Sequence, residues 1–308
     1  MSGSLVVRCP AKVNLWLRVL DRRADGYHTL DTLFQAIELW DRIEAETADN
    51  DAPPLTLTTD HPELPVDGSN LVARAVEALR RRFPDAARPV RMRLLKRIPL
   101  QGGLGGGSSN AAGALRLLTR LWNLSVEEPV LHEVARELGA DVPFFLVGGA
   151  ARGRGRGDRI EAVAAAPRRW LVLGLPPFGV PTAEAFDALS GLLTLPEIGD
   201  SFPDLRGGKW PLVKDLSALV NDLEQPVFSR WPDLGVFCDE LRRHGAQHAM
   251  LSGSGSTVFG LFDEGPAAKR AADALREWGA KDERFRGWSV VPTTTTSQGV
   301  VFESGGRV

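Results

Sequence analysis

Residues 98–110 read Ile98-Pro99-Leu100-Gln101-Gly102-Gly103-Leu104-Gly105-Gly106-Gly107-Ser108-Ser109-Asn110, with five glycines in the six positions from 102 to 107. A backbone so free of side-chain bulk can turn its N–H groups toward one anion, and a helix starting just after it adds partial positive charge. Ser108 and Ser109 supply hydroxyls at that end for a phosphate or a magnesium ion. The chemistry is phosphate binding, and two common nucleotide loops are excluded. A P-loop requires Gly-Lys-Ser/Thr, and no lysine stands between Gly102 and Ala114. A dinucleotide fingerprint would align Gly103 and Gly105, but its third glycine would fall on Ser108. It also needs an acidic residue about 20 residues on at a strand tip, whereas Glu127 and Glu128 open a helix. A flexible Gly/Ser linker is the alternative, and the well-patterned segments on both sides speak against it.

A second stretch, Ser252-Gly253-Ser254-Gly255-Ser256, lies in the other half of the chain. By itself it is an ordinary turn between strands; two such loops point to a cleft holding an anion between domains. Lys12 and Asn14, two residues apart on a strand, share its polar face, where a lone lysine is ordinarily solvated. Asp141 precedes Val142-Pro143-Phe144-Phe145-Leu146, so its carboxylate stands at the edge of an apolar segment. The pattern fits an N-cap for a helix starting at Val142, with Pro143 in its first turn, as well as a catalytic carboxylate. Tyr27 and His28 follow an Asp25-Gly26 turn. Such a pair can stack on and hydrogen-bond a base, the alternative being a histidine with no ligand. The sequence has no Cys/His/Asp cluster at zinc spacing and no Gly-x-Ser-x-Gly elbow.

Alternation predicts the strands that position these groups, over 13–19, 34–39, 55–59 and 91–95, the last running into the glycine loop. Asn70 is placed to cap a helix over 71–83, and Ser108 or Ser109 to start one reaching Leu121. Ser125 with Glu128 forms a capping-box pattern for a helix ending near Gly139. After the Gly/Arg stretch 148–157 a domain division is expected near Ala165, giving units of 1–164 and 165–308. The second half predicts a strand over 170–175, a helix over 182–192, an irregular insert over 196–210 and a further helical stretch. Strands over 249–251 and 257–262, a helix over 266–278 and a strand over 288–291 follow. That β-α-β-β-α-β order points to a ferredoxin-like sandwich.

At 308 residues the chain is long for one core, and 43% hydrophobic with 25% charged residues fits a soluble globular protein. A net charge of −2 offers no overall basic field to nucleic acid or an anionic membrane. Arg80, Arg81 and Arg82 read as a solvated face. Two distant cysteines, Cys9 and Cys238, suit a reducing compartment. No signal peptide and no apolar run of about 18 residues is evident. A cytoplasmic location is expected.

Pro10-Ala11-Lys12-Val13-Asn14-Leu15, Arg22-Arg23-Ala24-Asp25-Gly26-Tyr27-His28 and the glycine loop resemble motifs of the GHMP (galactokinase, homoserine, mevalonate, phosphomevalonate) kinases. So do Gly139-Ala140-Asp141-Val142-Pro143, Asn221-Asp222-Leu223-Glu224 and Met250-Leu251-Ser252-Gly253-Ser254-Gly255-Ser256-Thr257-Val258, and the similarity spans nearly the whole chain. The glycine loop marks the superfamily. The Arg-Arg-x-Asp-Gly-Tyr-His run resembles the branch that acts on 4-diphosphocytidyl-2-C-methyl-D-erythritol. The resemblance implies a two-layer α+β fold: an N-terminal domain like the ribosomal protein S5 domain 2 fold and a C-terminal ferredoxin-like α/β sandwich. It implies transfer of the γ-phosphoryl group of ATP, with Mg2+, to the 2-hydroxyl of that substrate. This is a step of the non-mevalonate (methylerythritol phosphate) isoprenoid route, carried out by a monomer or homodimer.

The resemblance makes Asp141 the general base and Lys12 its cationic partner. It assigns the loop from Pro99 to Ser109, with Asn70 and Lys96, to ATP. It assigns Asn14, Tyr27, His28, Asn110, Thr182, Phe186, Gly253, Ser254 and Gly255 to the acceptor substrate. Glycine usually stands in this family where Gln101 does, which leaves the first turn of the loop open. A GHMP kinase for homoserine or mevalonate has no evident use for the Tyr27-His28 pair. A non-catalytic nucleotide- or phosphosugar-binding regulator has no reason to keep both Lys12 and Asp141.

Overall fold

The computed structural model describes residues 4–163, 168–190, 216 and 219–303. Two long antiparallel strands, β1 (Leu5–Arg22) and β2 (His28–Thr47), form the spine of the first sheet. Both overrun the expected 13–19 and 34–39, because their pairing slips at Pro10/Ala11, Asn14/Trp16 and Val19/Asp21. Such bulges re-aim side chains and break the alternation without ending the strand. β3 (Leu55–Thr59) pairs in parallel with β4 (Val90–Leu95), and β4 pairs antiparallel with the end of β2.

α1 (Leu71–Arg82) is capped as expected, Asn70 Oδ1 accepting from the Val72 N–H at 2.9 Å. α2 (Gly106–Leu121) starts before the expected serines, because Gly105 at φ 69° makes the turn into the helix. α3 (Glu128–Leu138) lacks the expected capping box. Pro129 sits in its first turn, and Glu128 pairs with Arg116 at 2.5 Å instead. α4 (Val142–Val147) leads into β5 (Ala150–Gly155) and β6 (Arg159–Ala162). The Gly/Arg composition hid β5, since glycine and arginine carry little strand preference. It forms against the first part of β2, Leu30–Gln35, where Arg152 ion-pairs with Asp31. Val72, Val76 and Leu79 of α1 and Leu115 and Leu118 of α2 bury their apolar faces against Val7, Ile43 and Met92.

The second sheet comprises β7 (Trp170–Leu175), β8 (His248–Leu251), β9 (Val258–Phe262) and β10 (Ser289–Thr294). Its order is β10-β7-β9-β8, antiparallel throughout, the ferredoxin-like arrangement expected. α5 (Thr182–Ser190), α6 (Glu224–Arg230) and α7 (Pro232–Arg243) intervene between β7 and β8, and α8 (Gly265–Lys281) between β9 and β10. The expected insert 196–210, the end of the 182–192 helix and the division at Ala165 lie outside the described residues. A last short strand, β11 (Val301–Phe302), returns to pair with β1.

One further core joins the two sheets: Ala11, Val13, Leu15 and Ile37 meet Leu171, Leu173, Phe259 and Leu261. With that face of β1 covered by the second sheet, the opposite face lies under the glycine loop. Lys12 and Asn14 are therefore 4% and 2% exposed, not solvated as the alternation alone suggested.

Candidate active site

The glycine loop is gripped from both halves of the molecule. Gly103 (φ 71°) runs so close to the second loop that a Cβ there would stand 2.1 Å from Ser252 O, so glycine is required. Ser252 Oγ donates to Gly103 O (3.0 Å), Thr257 N to Gly102 O (3.2 Å) and Lys12 N to Leu104 O (3.0 Å). The Ser109 N–H is the first to find a helical acceptor, Gly105 O at 2.9 Å. The N–H groups of the preceding first turn have none, and they carry the positive end of a 16-residue helix. That is the equipment of an anion site. Ser108 is half-buried, while the Ser109 hydroxyl is enclosed and unpartnered among the described residues. Gln101 adopts φ 53°, which costs a non-glycine residue about 1 kcal/mol.

Asp141 precedes α4, yet its carboxylate makes no cap hydrogen bond. It faces Lys12 instead, Oδ2 lying 3.5 Å from Nζ. Burial pushes the Lys12 pKa down and the Asp141 charge acts to raise it. Nζ donates to Asn14 Oδ1 (2.6 Å), Asn14 Nδ2 donates to Thr32 Oγ1 (2.8 Å), and Thr32 Oγ1 donates to Trp16 O (2.7 Å). This chain of donors turns the Asn14 oxygen toward the lysine. A Cβ on Gly253 would lie 3.3 Å from Lys12 Nζ, and one on Gly105 3.2 Å from Lys12 Cε. Both glycine loops therefore close on the lysine head beside the Asp141 carboxylate.

His28, at the start of β2, stacks on Phe186 of α5, with ring centroids 4.9 Å apart and planes 20° apart. His28 Nε2 is buried and without a hydrogen-bond partner among the described residues. Burial holds the imidazole pKa below its ordinary value, which favours the neutral ring. Tyr27 is exposed beside it, with the Arg156 guanidinium 5.6 Å from the ring centroid. Thr182 Oγ1 lies 3.1 Å from Ser254 Oγ, tying the start of α5 to the second loop.

Two family descriptions match this arrangement: GHMP kinases N terminal domain over residues 70–149, and GHMP kinases C terminal over residues 201–281. The chain is 36% identical over 273 residues to the 4-diphosphocytidyl-2-C-methyl-D-erythritol kinase of Enterococcus faecalis, covering 88% of this chain and 95% of that protein. It is 41% identical over 271 residues to the enzyme of that name from Pelotomaculum thermopropionicum, covering 86% and 92%. The chain belongs to the 4-diphosphocytidyl-2-C-methyl-D-erythritol kinase family of GHMP kinases. A crystal structure of a 4-(cytidine 5'-diphospho)-2C-methyl-D-erythritol kinase matches it with TM-score 0.73 at 36% identity, covering 94% of this chain and 98% of that one. A homoserine kinase from Cytophaga hutchinsonii matches with the same TM-score of 0.73 at 20% identity, covering 98% of each chain, and shares the fold.

Within this GHMP kinase, the Asn221-Asp222-Leu223-Glu224 motif brackets the second loop. Asn221 Nδ2 donates to Leu251 O (3.0 Å) and Gly253 O (2.8 Å), and Glu224 Oε1 accepts from Leu251 N (2.8 Å). Asp222 accepts from Arg18 Nη1 (2.7 Å) and Val19 N (2.9 Å), which fastens the bracket to β1.

Beneath the first loop lies a carboxylate that no sequence pattern singled out. Asp41 is wholly buried and accepts from Arg97 N (2.7 Å), Ile98 N (2.9 Å), Asn110 Nδ2 (2.9 Å) and the Lys96 ammonium. Lys96 also donates to Asn110 Oδ1 (3.0 Å), and a Cβ on Gly106 would lie 3.1 Å from its Nζ. Lys96 and Asn110 thus stand under the first turn of α2. In the sequence Asp41 is one acidic residue among Glu38, Arg42 and Glu44 on a strand, and nothing in the spacing distinguishes it.

Proposed function

We infer that this chain transfers the γ-phosphoryl group of ATP to the 2-hydroxyl of 4-diphosphocytidyl-2-C-methyl-D-erythritol, a step toward isoprenoid precursors. The observation that carries the inference is Asp141 meeting Lys12 under the glycine loop instead of capping its own helix. The phosphates of ATP lie against the loop N–H groups, from Gly102 to Ser108, and the start of α2. The acceptor hydroxyl passes its proton to Asp141 as its oxygen bonds to the γ-phosphorus; the bond from that phosphorus to the β-phosphate bridging oxygen breaks and ADP leaves. Lys12 stands beside the Asp141 carboxylate and offsets charge on the attacking oxygen.

When bound with the nucleotide, Mg2+ would offset negative charge on the phosphates during transfer. Among the described residues no three His, Cys, Asp or Glu side chains gather into a cage. That fits an ion carried by the nucleotide and water, with the Ser108 hydroxyl as a protein donor.

The unpartnered His28 Nε2 supports its assignment to the polar edge of the cytosine ring, with Tyr27 and Phe186 supplying stacking surface. Asn14, Thr182 and the 253–255 turn line the acceptor side, while Asn70 and Lys96 lie toward ATP. Residues 1–164 then form the ATP half and 165–308 the other, β11 crossing back. No described helix is long and apolar enough to cross a membrane. A cytoplasmic monomer or homodimer acting on this small molecule is proposed.

Purified protein with ATP, Mg2+ and a panel of the cytidylyl substrate, homoserine and mevalonate tests the substrate. ADP is expected with the first alone; turnover confined to homoserine or mevalonate would overturn the assignment. His28→Ala removes a hydrogen bond to a buried group, so KM for the cytidylyl substrate should rise about 5- to 150-fold. KM for ATP should stay within about twofold. Equal losses for both substrates in steady-state kinetics would remove His28 from the base.

A further inference from the structure

Two residues other than glycine take a positive φ among the described residues, Gln101 and Asn123. Asparagine tolerates that region through its short polar side chain; glutamine has no such excuse. Gln101 also stands at the entrance of the phosphate loop, one residue before Gly102. A non-glycine residue persists in this conformation when its surroundings hold it there.

What holds it is the second half of the molecule. A Cβ built on Gly179 would lie 2.6 Å from Gln101 Cβ and 2.8 Å from its Oε1. Gln101 therefore rests on the bare α-carbon of Gly179, in the segment joining β7 to α5. The same segment is fastened to the second loop, Ser256 Oγ donating to Phe178 O at 2.6 Å, and Thr182 Oγ1 adjoins Ser254 Oγ. Gly179 does not itself have a positive φ, so an alanine there would suit its backbone, and the three atoms nearest its Cβ would all belong to Gln101: Cβ, Oε1 and, at 3.3 Å, the carbonyl oxygen.

We propose that Gln101 is a positioning residue for ATP, a clasp that seats the entrance of the glycine loop on Gly179 and so couples the phosphate site to the 176–182 segment. The proposal rests on residues 102–107 being the ATP loop. With the clasp in place the loop's first N–H groups start from one position. Without it, a glycine at 101 restores the backbone freedom that the loop must lose when the nucleotide binds. The expected effect falls on ATP affinity more than on the rate at saturation, because neither Asp141 nor Lys12 moves.

The test is a double-mutant cycle on Gln101→Gly and Gly179→Ala, reading the Kd for ATP by equilibrium titration together with kcat and the urea midpoint. Each single variant is expected to weaken ATP roughly fivefold, and the double variant no more than either, because both break the same contact. The kcat at saturating ATP should hold within about twofold. The Gln101→Gly protein should unfold at an equal or higher urea concentration, since backbone strain is relieved. An unchanged ATP Kd in Gln101→Gly, or multiplicative losses in the double variant, would overturn the clasp. A merely structural role would lower the urea midpoint and leave the Kd alone, which also overturns it. Failure of the wild-type protein to bind ATP would instead remove the underlying assignment of the loop.

Discussion

Asp141→Asn is expected to lower kcat by about 10²- to 10⁴-fold, the range that a positioned general base contributes. The substitution keeps the size of the side chain and its place before α4, and the wild-type carboxylate makes no cap bond there to lose. What disappears is the proposed proton acceptor and the carboxylate 3.5 Å from Lys12 Nζ. ATP should still bind, because the loop N–H groups and the start of α2 are untouched. Lys12 keeps its hydrogen bond to Asn14 Oδ1 at 2.6 Å. With the raising influence of Asp141 gone and burial unchanged, the Lys12 pKa should fall further below its ordinary value. Single-turnover kinetics with a parallel nucleotide titration separate these effects. Wild-type kcat in the variant would remove Asp141 from the chemistry.

Asp41→Asn is expected to produce the largest loss of stability of any single carboxylate substitution, about 3–5 kcal/mol. The Lys96 side chain is 2% exposed and that of Asp41 0%, so the lysine cannot recover water when its counter-ion is removed. The amide accepts less strongly than the carboxylate from Arg97 N and Ile98 N, which set the chain's path into the glycine loop. Typical folding stabilities of about 5–15 kcal/mol make such a loss visible in a urea melt. Removing the lysine charge as well, Asp41→Asn with Lys96→Met, should cost less than Asp41→Asn alone, since no charge is left stranded and the amide oxygen still accepts from Arg97 N and Ile98 N. A single variant within about 1 kcal/mol of wild type would mean the ion pair contributes little.

Much of the scaffold was legible because its signals are local. Asn70 caps α1 through a bond two residues away, and the strands and helices of the second half follow apolar periods over a few residues. The errors share a cause. Glu128 was drawn from a capping box to Arg116, Lys12 was covered by a loop from elsewhere, and β5 formed on the waiting edge of β2. In each case a partner distant in sequence overrode a local preference.

By itself the sequence determined that a glycine-rich loop precedes a helix, that it is neither a P-loop nor a dinucleotide turn, and which residues could do chemistry beside it. Those conclusions depend on residue type and short spacing, which the chain carries with it. Only the tertiary structure decided that Asp141 turns to Lys12 and not to its own helix, that His28 meets Phe186, and that Asp41 lies beneath the loop. It also decided the first turn at Gln101, which takes a positive φ against Gly179. These groups belong to different elements, and distances between elements are set by how buried faces pack, a quantity that no spacing along the chain encodes.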